Sequence, residues 1–457
     1  MMALDHLAPE LLCSILASLE SPRDLYSLIK ASPASLRAFI PCRRSTFSAI
    51  IRNALAPDAV HHALALLHVP EPPVSFHNDG RNAELFRLRV KIYLKQYFRA
   101  SSWRFPTDLP SIITLIRLIS QISRFVDGYF DFAMETMGLT EETGCLRPLS
   151  STEITRLQRA FLRFEIYCRI NPLLDCLTST LSSDFQFKYF IKKMAPWEVE
   201  EVTCIHEYLA TVIGRYILEA EDRLMHAILG NPHLRARSID MEYFQHGRPI
   251  KYKCSEGHML NFDDLDITDL SPFSTEATDH RRSSISYIVS LGLGVLQDII
   301  SSDVDRRWNI IHSNLLLRQF LHEALLVAWR RRGADPILRA PEGEFTDSSS
   351  RPNQGWFNFN SSHGLLSIEE SFDSLTHRLL RICGYIFWDY SRISHPNVSK
   401  ALKSLQDERD LSSSIYGIRS GQSAEERLEG YELPKAEMIK LWCDLGYKSS
   451  LKWLSVR

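Results

Sequence analysis

Apolar residues recur at the spacing of an α-helix along most of this 457-residue sequence, whereas the strict alternation of a half-buried β-strand is scarce. Long amphipathic segments lie at 109–130, 151–170 and 198–229, and the last is compatible with one helix or with two broken near Gly214. The single strand-like stretch, 248–262, fits an irregular loop equally well. The pattern therefore predicts an all-α fold, and no repeat of fixed period points to a solenoid.

Helix-start signals are crowded near the N-terminus. Pro9 suits the first turn of a helix, and Pro22 and Pro33 each follow a serine, Ser21 and Ser32, of the type that caps a helix N-terminus. The first of these helices carries an apolar stripe made of Leu11, Leu12, Ile15, Leu16 and Leu19. The spacing predicts a bundle of three short helices.

We predict that this bundle forms a domain over residues 1–50, followed by an irregular multi-helix region without repeats over 51–457. The next helix is expected at 45–55, and loops are expected near 265–284 and 333–363, where turn-forming residues collect. A bundle of this size seldom buries enough apolar surface to be stable alone. Each fully buried Leu or Ile contributes about 1.5–3 kcal/mol, so the stripe must pack against either the rest of this chain or another protein.

Composition excludes several partner classes and leaves an ordinary globular protein. Hydrophobic residues make up 45% of the chain and charged residues 24%, and a net charge of −2 gives no general attraction to nucleic acid or to an anionic membrane. Nine unpatterned cysteines indicate a reducing compartment rather than a disulfide framework. The N-terminus lacks a basic leader, and the longest uncharged apolar run, 283–297, is shorter than a membrane span. We expect a cytoplasmic or nuclear protein.

Motifs for catalysis are incomplete. The sequence has no phosphate-binding Gly-rich loop and no G-x-S-x-G elbow, and the His-Glu pairs at His206 and His322 lack the second histidine of a zinc-protease helix. His246, Cys254 and His258 are close in sequence, but no clear fourth ligand accompanies them, whereas structural zinc is nearly always four-coordinate. We interpret them as a solvated loop. The sequence predicts a non-enzyme without metal or cofactor.

The N-terminal segment resembles an F-box. The matching positions are Leu7-Ala8-Pro9-Glu10 at the start, Asp24-Leu25 and Leu28 in the second helix, and Ser32 before the third. Ala8 stands where an F-box has proline, and Pro9 is displaced by one position. Residues 28–39, 43–51 and 287–300 are also similar to stretches of filamentous-fungal F-box-like proteins of unassigned function.

The resemblance implies a function. F-box segments dock on a Skp-family adaptor that links them to a cullin and a RING subunit, and the rest of the chain recruits a protein substrate. The chain would then be the non-catalytic substrate-recognition subunit of an SCF-type cullin-RING ubiquitin ligase. The implied adaptor-binding residues are Leu7, Pro9, Leu11, Leu12, Ile15, Leu16, Leu25 and Leu28. The alternative is a non-catalytic helical interaction or scaffold protein whose F-box-like segment packs into its own core.

Overall fold

The structure is a computed structural model that describes residues 7–71, 80–99, 103–139, 148–170, 183–230, 285–314, 321, 324–325, 351–362 and 375–407. Within these residues the regular secondary structure is entirely helical, with no strand. The predicted all-α fold is confirmed. The predicted loop at 265–284 and the candidate ligands His246, Cys254 and His258 lie outside the described residues.

Fifteen α-helices have defined bounds in the described part of the chain. They are α1 (Pro9–Ala17), α2 (Pro22–Ala31), α3 (Pro33–Ala54), α4 (Pro57–Leu66), α5 (Gly80–Tyr97), α6 (Leu109–Thr136), α7 (Ser151–Ile170), α8 (Ser183–Tyr189), α9 (Pro196–Gly230), α10 (Leu293–Ser301), α11 (Val304–Ser313), α12 (Gln354–Ser362), α13 (Leu375–Ile382), α14 (Tyr390–Ile393) and α15 (Pro396–Asp407). A short 3₁₀-helix, Ile191–Lys193, precedes α9. The segment 198–229 therefore forms part of one continuous helix.

The helices fall into two compact units. The first contains the described residues of Met1–Glu207 and Ala324–Asp407, and the second contains those of Tyr208–Glu323. In the second unit α10 packs against α11, and the Arg307 guanidinium lies 3.8 Å from the centroid of the Tyr216 ring. Gly292 has a positive φ of 93° and stands immediately before α10, so the apolar stretch around it is not one unbroken helix.

Helix α7 lies at the centre of the first unit. Sixteen of its twenty residues are buried, with α4 and α6 packed against it. The consecutive buried residues Ala160, Phe161 and Leu162 point to different sides of the helix, which is the pattern of a helix enclosed by its neighbours.

Helix α6 is long and apolar enough to cross a membrane by length and composition alone, with a mean hydropathy of 1.3 in its most apolar window. Core helices of folded proteins pass the same test. In this structure α6 packs against α3 and α7, and the Tyr129 hydroxyl donates a hydrogen bond of 2.6 Å to the backbone carbonyl of Arg381. These contacts bury part of α6 within the first unit.

The prediction of a loop over 333–363 is wrong for its last part, because Gln354–Ser362 forms α12. Asn353 explains the helix: its Oδ1 accepts the backbone N–H of Trp356, and its Nδ2 donates to the carbonyls of Tyr385 and Trp388. A Cβ on Gly355 would lie 2.2 Å from the Tyr385 carbonyl oxygen, so only glycine permits this approach. A tertiary contact thus fixes a segment whose composition indicates a loop.

Helix α3 runs without interruption through residue 50, where we predicted a domain boundary. It joins the predicted third bundle helix to the separate helix expected at 45–55, and it contains Pro41 in its interior. Pro41 lacks the N–H that would bond to the carbonyl four residues earlier, but the helix continues past it. The first unit also includes the bundle together with α4–α8, so the bundle is continuous with its neighbours.

Candidate functional site

The N-terminal bundle begins its helices as the sequence predicts. The Ser21 hydroxyl accepts the backbone N–H of Arg23 at 3.1 Å, and the Ser32 hydroxyl accepts that of Ser35 at 3.2 Å. Each serine therefore satisfies a backbone donor that the first turn leaves unpaired. Pro9 starts α1 without a side-chain cap, since the preceding residue is Ala8.

A small apolar core holds the three helices together. Leu12 and Leu16 of α1 and Leu25 of α2 are buried against α3, which contributes Ala34 and Ala38. The two alanines have no bulk beyond Cβ, so they allow the leucines of the neighbouring helices to approach the backbone of α3 closely. The buried stripe therefore holds the bundle together.

Other large apolar side chains of the bundle face solvent. Leu11 is 55% exposed and Ile40 is 58% exposed, and Tyr26 and Leu36 are also exposed. None of these four residues belongs to the apolar core that α1, α2 and α3 share. We call Leu11, Tyr26, Leu36 and Ile40 the exposed apolar surface of the bundle.

The structure divides the eight residues that the F-box resemblance assigns to adaptor binding. Leu12, Leu16 and Leu25 are buried in the bundle core. The remaining five are accessible, of which Pro9 and Leu11 are exposed and Leu7, Ile15 and Leu28 are half-buried. Tyr26, Leu36 and Ile40 have more exposed surface than several of the predicted residues, and only the packing of the three helices identifies them.

Polar contacts join the helices of the bundle to one another and to α7. The Asn53 amide of α3 donates to the carbonyls of Ala17 and Leu19 at 2.9 and 3.1 Å, which satisfies two carbonyls near the end of α1. Gln158 of α7 donates to the carbonyl of Ala54 and accepts the backbone N–H of Ala56. The end of α3 is thereby attached to the central helix.

Helix α7 carries a cluster of buried charged residues, which the sequence analysis did not predict. Four of its charged residues, Glu153, Arg156, Arg159 and Arg163, lie within about a third of the helix circumference, since successive residues are 100° apart. This spacing normally marks a solvent-exposed face, but here all four side chains are buried. Apolar residues on the other sides of the helix are the sequence signal for its burial.

Ion pairs with residues far away in sequence explain how these charges are accommodated. The Arg156 guanidinium lies 2.8 Å from the Asp389 carboxylate, and that of Arg159 pairs with Glu201 of α9. Glu153 pairs with Arg392 at 2.8 Å. Each of these three carboxylates is thus paired with an arginine, and removing either partner would leave the other charge buried without its counter-charge.

Two buried thiols, Cys204 and Cys383, are not activated for nucleophilic chemistry. Burial, reinforced by the nearby Glu200 carboxylate, raises the pKa of the Cys204 thiol well above its usual range. Burial also raises the pKa of the Cys383 thiol. Both sulfurs therefore stay protonated at neutral pH, whereas a catalytic cysteine requires a thiolate. Among the described residues, no group of three or more His, Cys, Asp or Glu side chains is arranged to hold a metal ion.

Comparison with protein-family models, with curated proteins and with solved structures found no match to this chain. No functional residue is therefore carried over from a relative. The candidate site rests on the chemistry and exposure of the chain's own residues.

Proposed function

We propose that the N-terminal bundle docks on a Skp-family adaptor and that the chain is the substrate-recognition subunit of an SCF-type cullin-RING ubiquitin ligase. The observation that supports this proposal is the exposed apolar surface of the bundle, on helices whose own core is already formed by other leucines. In this role the chain supplies binding surfaces and no catalytic residues. Its protein substrate would bind elsewhere on the remaining helices.

The exposed side chains suit this role in kind. Protein interfaces draw most of their affinity from a few aromatic and aliphatic side chains that become fully desolvated on binding. Leu11, Leu36 and Ile40 provide aliphatic anchors, and Tyr26 provides an aromatic ring with a polar tip. The buried leucines support binding indirectly, because they hold α1 and α2 in place against α3.

A second candidate function is that of a helical scaffold in which the bundle is simply part of a larger core. The attachment of α3 to α6 and α7 favours this alternative, in particular the two hydrogen bonds of Gln158 to the end of α3. The two candidates differ in whether an adaptor covers Leu11 and its exposed neighbours. Both candidate functions are non-catalytic.

The test is co-purification of the full chain with a Skp-family adaptor, using Leu11→Asp and Ile40→Asp as the two disrupting variants. A charge placed in a desolvated interface costs at least about 1.4 kcal/mol, so adaptor recovery is expected to fall about tenfold or more. Leu88→Asp is the matched control, because Leu88 is 53% exposed on α5, outside the bundle. It is expected to leave recovery unchanged.

Circular dichroism of each variant establishes that the helices are intact, as expected for substitutions at exposed positions. The ligase proposal fails if the wild-type chain recovers no adaptor, or if Leu11→Asp and Ile40→Asp recover as much as Leu88→Asp. If the wild-type chain recovers no adaptor, the scaffold function is favoured.

A further inference from the structure

Two thiols meet between the first and third helices of the bundle. The Sγ atoms of Cys13 on α1 and Cys42 on α3 are 3.1 Å apart, although the residues are 29 positions apart in sequence. A disulfide bond is about 2.05 Å long, so the two sulfurs need to approach by only about 1 Å to become bonded. Both cysteines are half-buried, which leaves them within reach of a small molecule from solvent.

The hydrogen bonds around the pair give the two sulfurs different roles. The Cys13 thiol donates to the Cys42 sulfur, and this bond raises the pKa of Cys13, with burial adding to the rise. The raised pKa disfavours the Cys13 thiolate, so Cys13 is assigned to the second step, after Cys42 has reacted. On its own helix α3, the Cys42 thiol donates to the Ala38 carbonyl at 2.9 Å and its sulfur lies 3.3 Å from the Thr46 hydroxyl.

We propose that Cys13 and Cys42 are a modification site at which a reversible intramolecular disulfide joins α1 to α3. The oxidant is a small-molecule disulfide of the glutathione type. This inference does not depend on adaptor docking, since it concerns only the contact between two helices of the chain.

The reaction is two successive thiol–disulfide exchanges. The Cys42 thiolate attacks one sulfur of oxidised glutathione, forming a mixed disulfide and releasing one glutathione thiolate. Cys13 then loses its proton to solvent or to that thiolate and attacks the Cys42 sulfur, which expels the second glutathione. Overall, the two protein thiols are oxidised by two electrons, and one oxidised glutathione is reduced to two molecules of glutathione.

Other thiols in the described residues are poor competitors. Cys168, Cys204 and Cys383 are buried, and burial keeps the last two protonated. The unpatterned cysteines indicated a reducing compartment, in which the pair is expected to stay reduced until the glutathione pool becomes oxidised. The structure thus singles out a pair that the spacing of cysteines along the sequence does not reveal.

In the experiment, the full chain is incubated in buffers with increasing ratios of oxidised to reduced glutathione. The remaining free thiols are then blocked with an alkylating agent, and the protein is digested with trypsin. We expect a cross-linked species in which the peptide 38–43, containing Cys42, is joined to the peptide 1–23, containing Cys13. Excess reduced glutathione should abolish it. Cys13→Ser and Cys42→Ser should each eliminate this species, whereas Cys168→Ser, at a buried control position, should leave its yield unchanged.

Two results would overturn the proposal. One is that both cysteines are fully alkylated at every glutathione ratio. The other is that glutathione adducts accumulate on Cys13 or Cys42 without resolving into the cross-linked peptide. Because the decisive measurement uses the unmodified sequence, neither result is open to the objection that a variant failed to fold.

Discussion

The buried carboxylate of Glu153 is engaged on both of its oxygens. Oε1 accepts hydrogen bonds from Arg392 Nε at 2.8 Å and from the Asp389 backbone N–H at 3.0 Å. Oε2 accepts from Arg392 Nη2 at 2.8 Å and from the Ser150 backbone N–H at 2.9 Å. The residue is 1% exposed, so water cannot replace these partners if the charge is removed.

We expect Glu153→Gln to lower the free energy of unfolding by about 3–5 kcal/mol, the range observed when one partner of a buried ion pair is removed. Glutamine keeps the shape and one acceptor oxygen, but it leaves the Arg392 guanidinium buried without its counter-charge. Its amide NH₂ also faces groups that are themselves donors. A loss of this size is a large share of the roughly 5–15 kcal/mol that stabilises a typical protein.

The measurement is urea unfolding followed by far-ultraviolet circular dichroism, comparing Glu153→Gln with the wild-type chain. Glu10→Gln is the matched control, because Glu10 is exposed in the first turn of α1, where loss of its charge costs about 0.3–1 kcal/mol. The reasoning is refuted if the two substitutions have equal effects. Such a result would mean that Arg392 reaches solvent or another partner without cost.

Two further predictions concern the bundle and the contact between α4 and α5. Leu12→Ala is expected to reduce the free energy of unfolding by about 2–5 kcal/mol, since Leu12 is 3% exposed, whereas Leu11→Ala on the same helix should change it by no more than about 0.5 kcal/mol. Equal values in denaturant unfolding would contradict the assignment of Leu12 to the core. Burial, together with the positive charge of Arg163, lowers the pKa of His62 well below its ordinary value of 6.5, and its Nδ1 lies 2.7 Å from the Tyr97 hydroxyl oxygen. The folded state therefore binds fewer protons at His62 than the unfolded state does. The free energy of unfolding should decrease as the pH falls below about 6.5, and this contribution should stop decreasing once the pH is below the pKa of His62 in the folded state. Unfolding free energies measured across this pH range should show a smaller decrease for His62→Gln, and an identical decrease would exclude His62 as a source.

The start of α7 shows how far local sequence reasoning extends. The helix begins one residue after Ser150, whose hydroxyl accepts the Glu153 N–H at 3.1 Å. Glu153 accepts the Ser150 N–H in return, which completes a reciprocal capping box. The same carboxylate also binds Arg392, 239 positions along the chain, and no local pattern contains that information.

Within the candidate site, the sequence determined the helix starts at Ser21 and Ser32 and the apolar stripe of α1, because caps and helical periodicity depend on residues only three or four positions apart. The all-α class follows from the same short-range patterns repeated along the chain. The sequence did not determine which leucines of that stripe are buried.

Tertiary packing alone decided that Leu12 is buried while Leu11 is exposed, that the charged face of α7 points inward, and that the segment after Asn353 is helical. Each of these depends on partners that are close in space and distant in sequence. Whether a side chain is buried, and whether a buried charge is paired, depends on the residues that surround it in the folded chain. Those residues are distant in sequence, so local helix signals do not identify them.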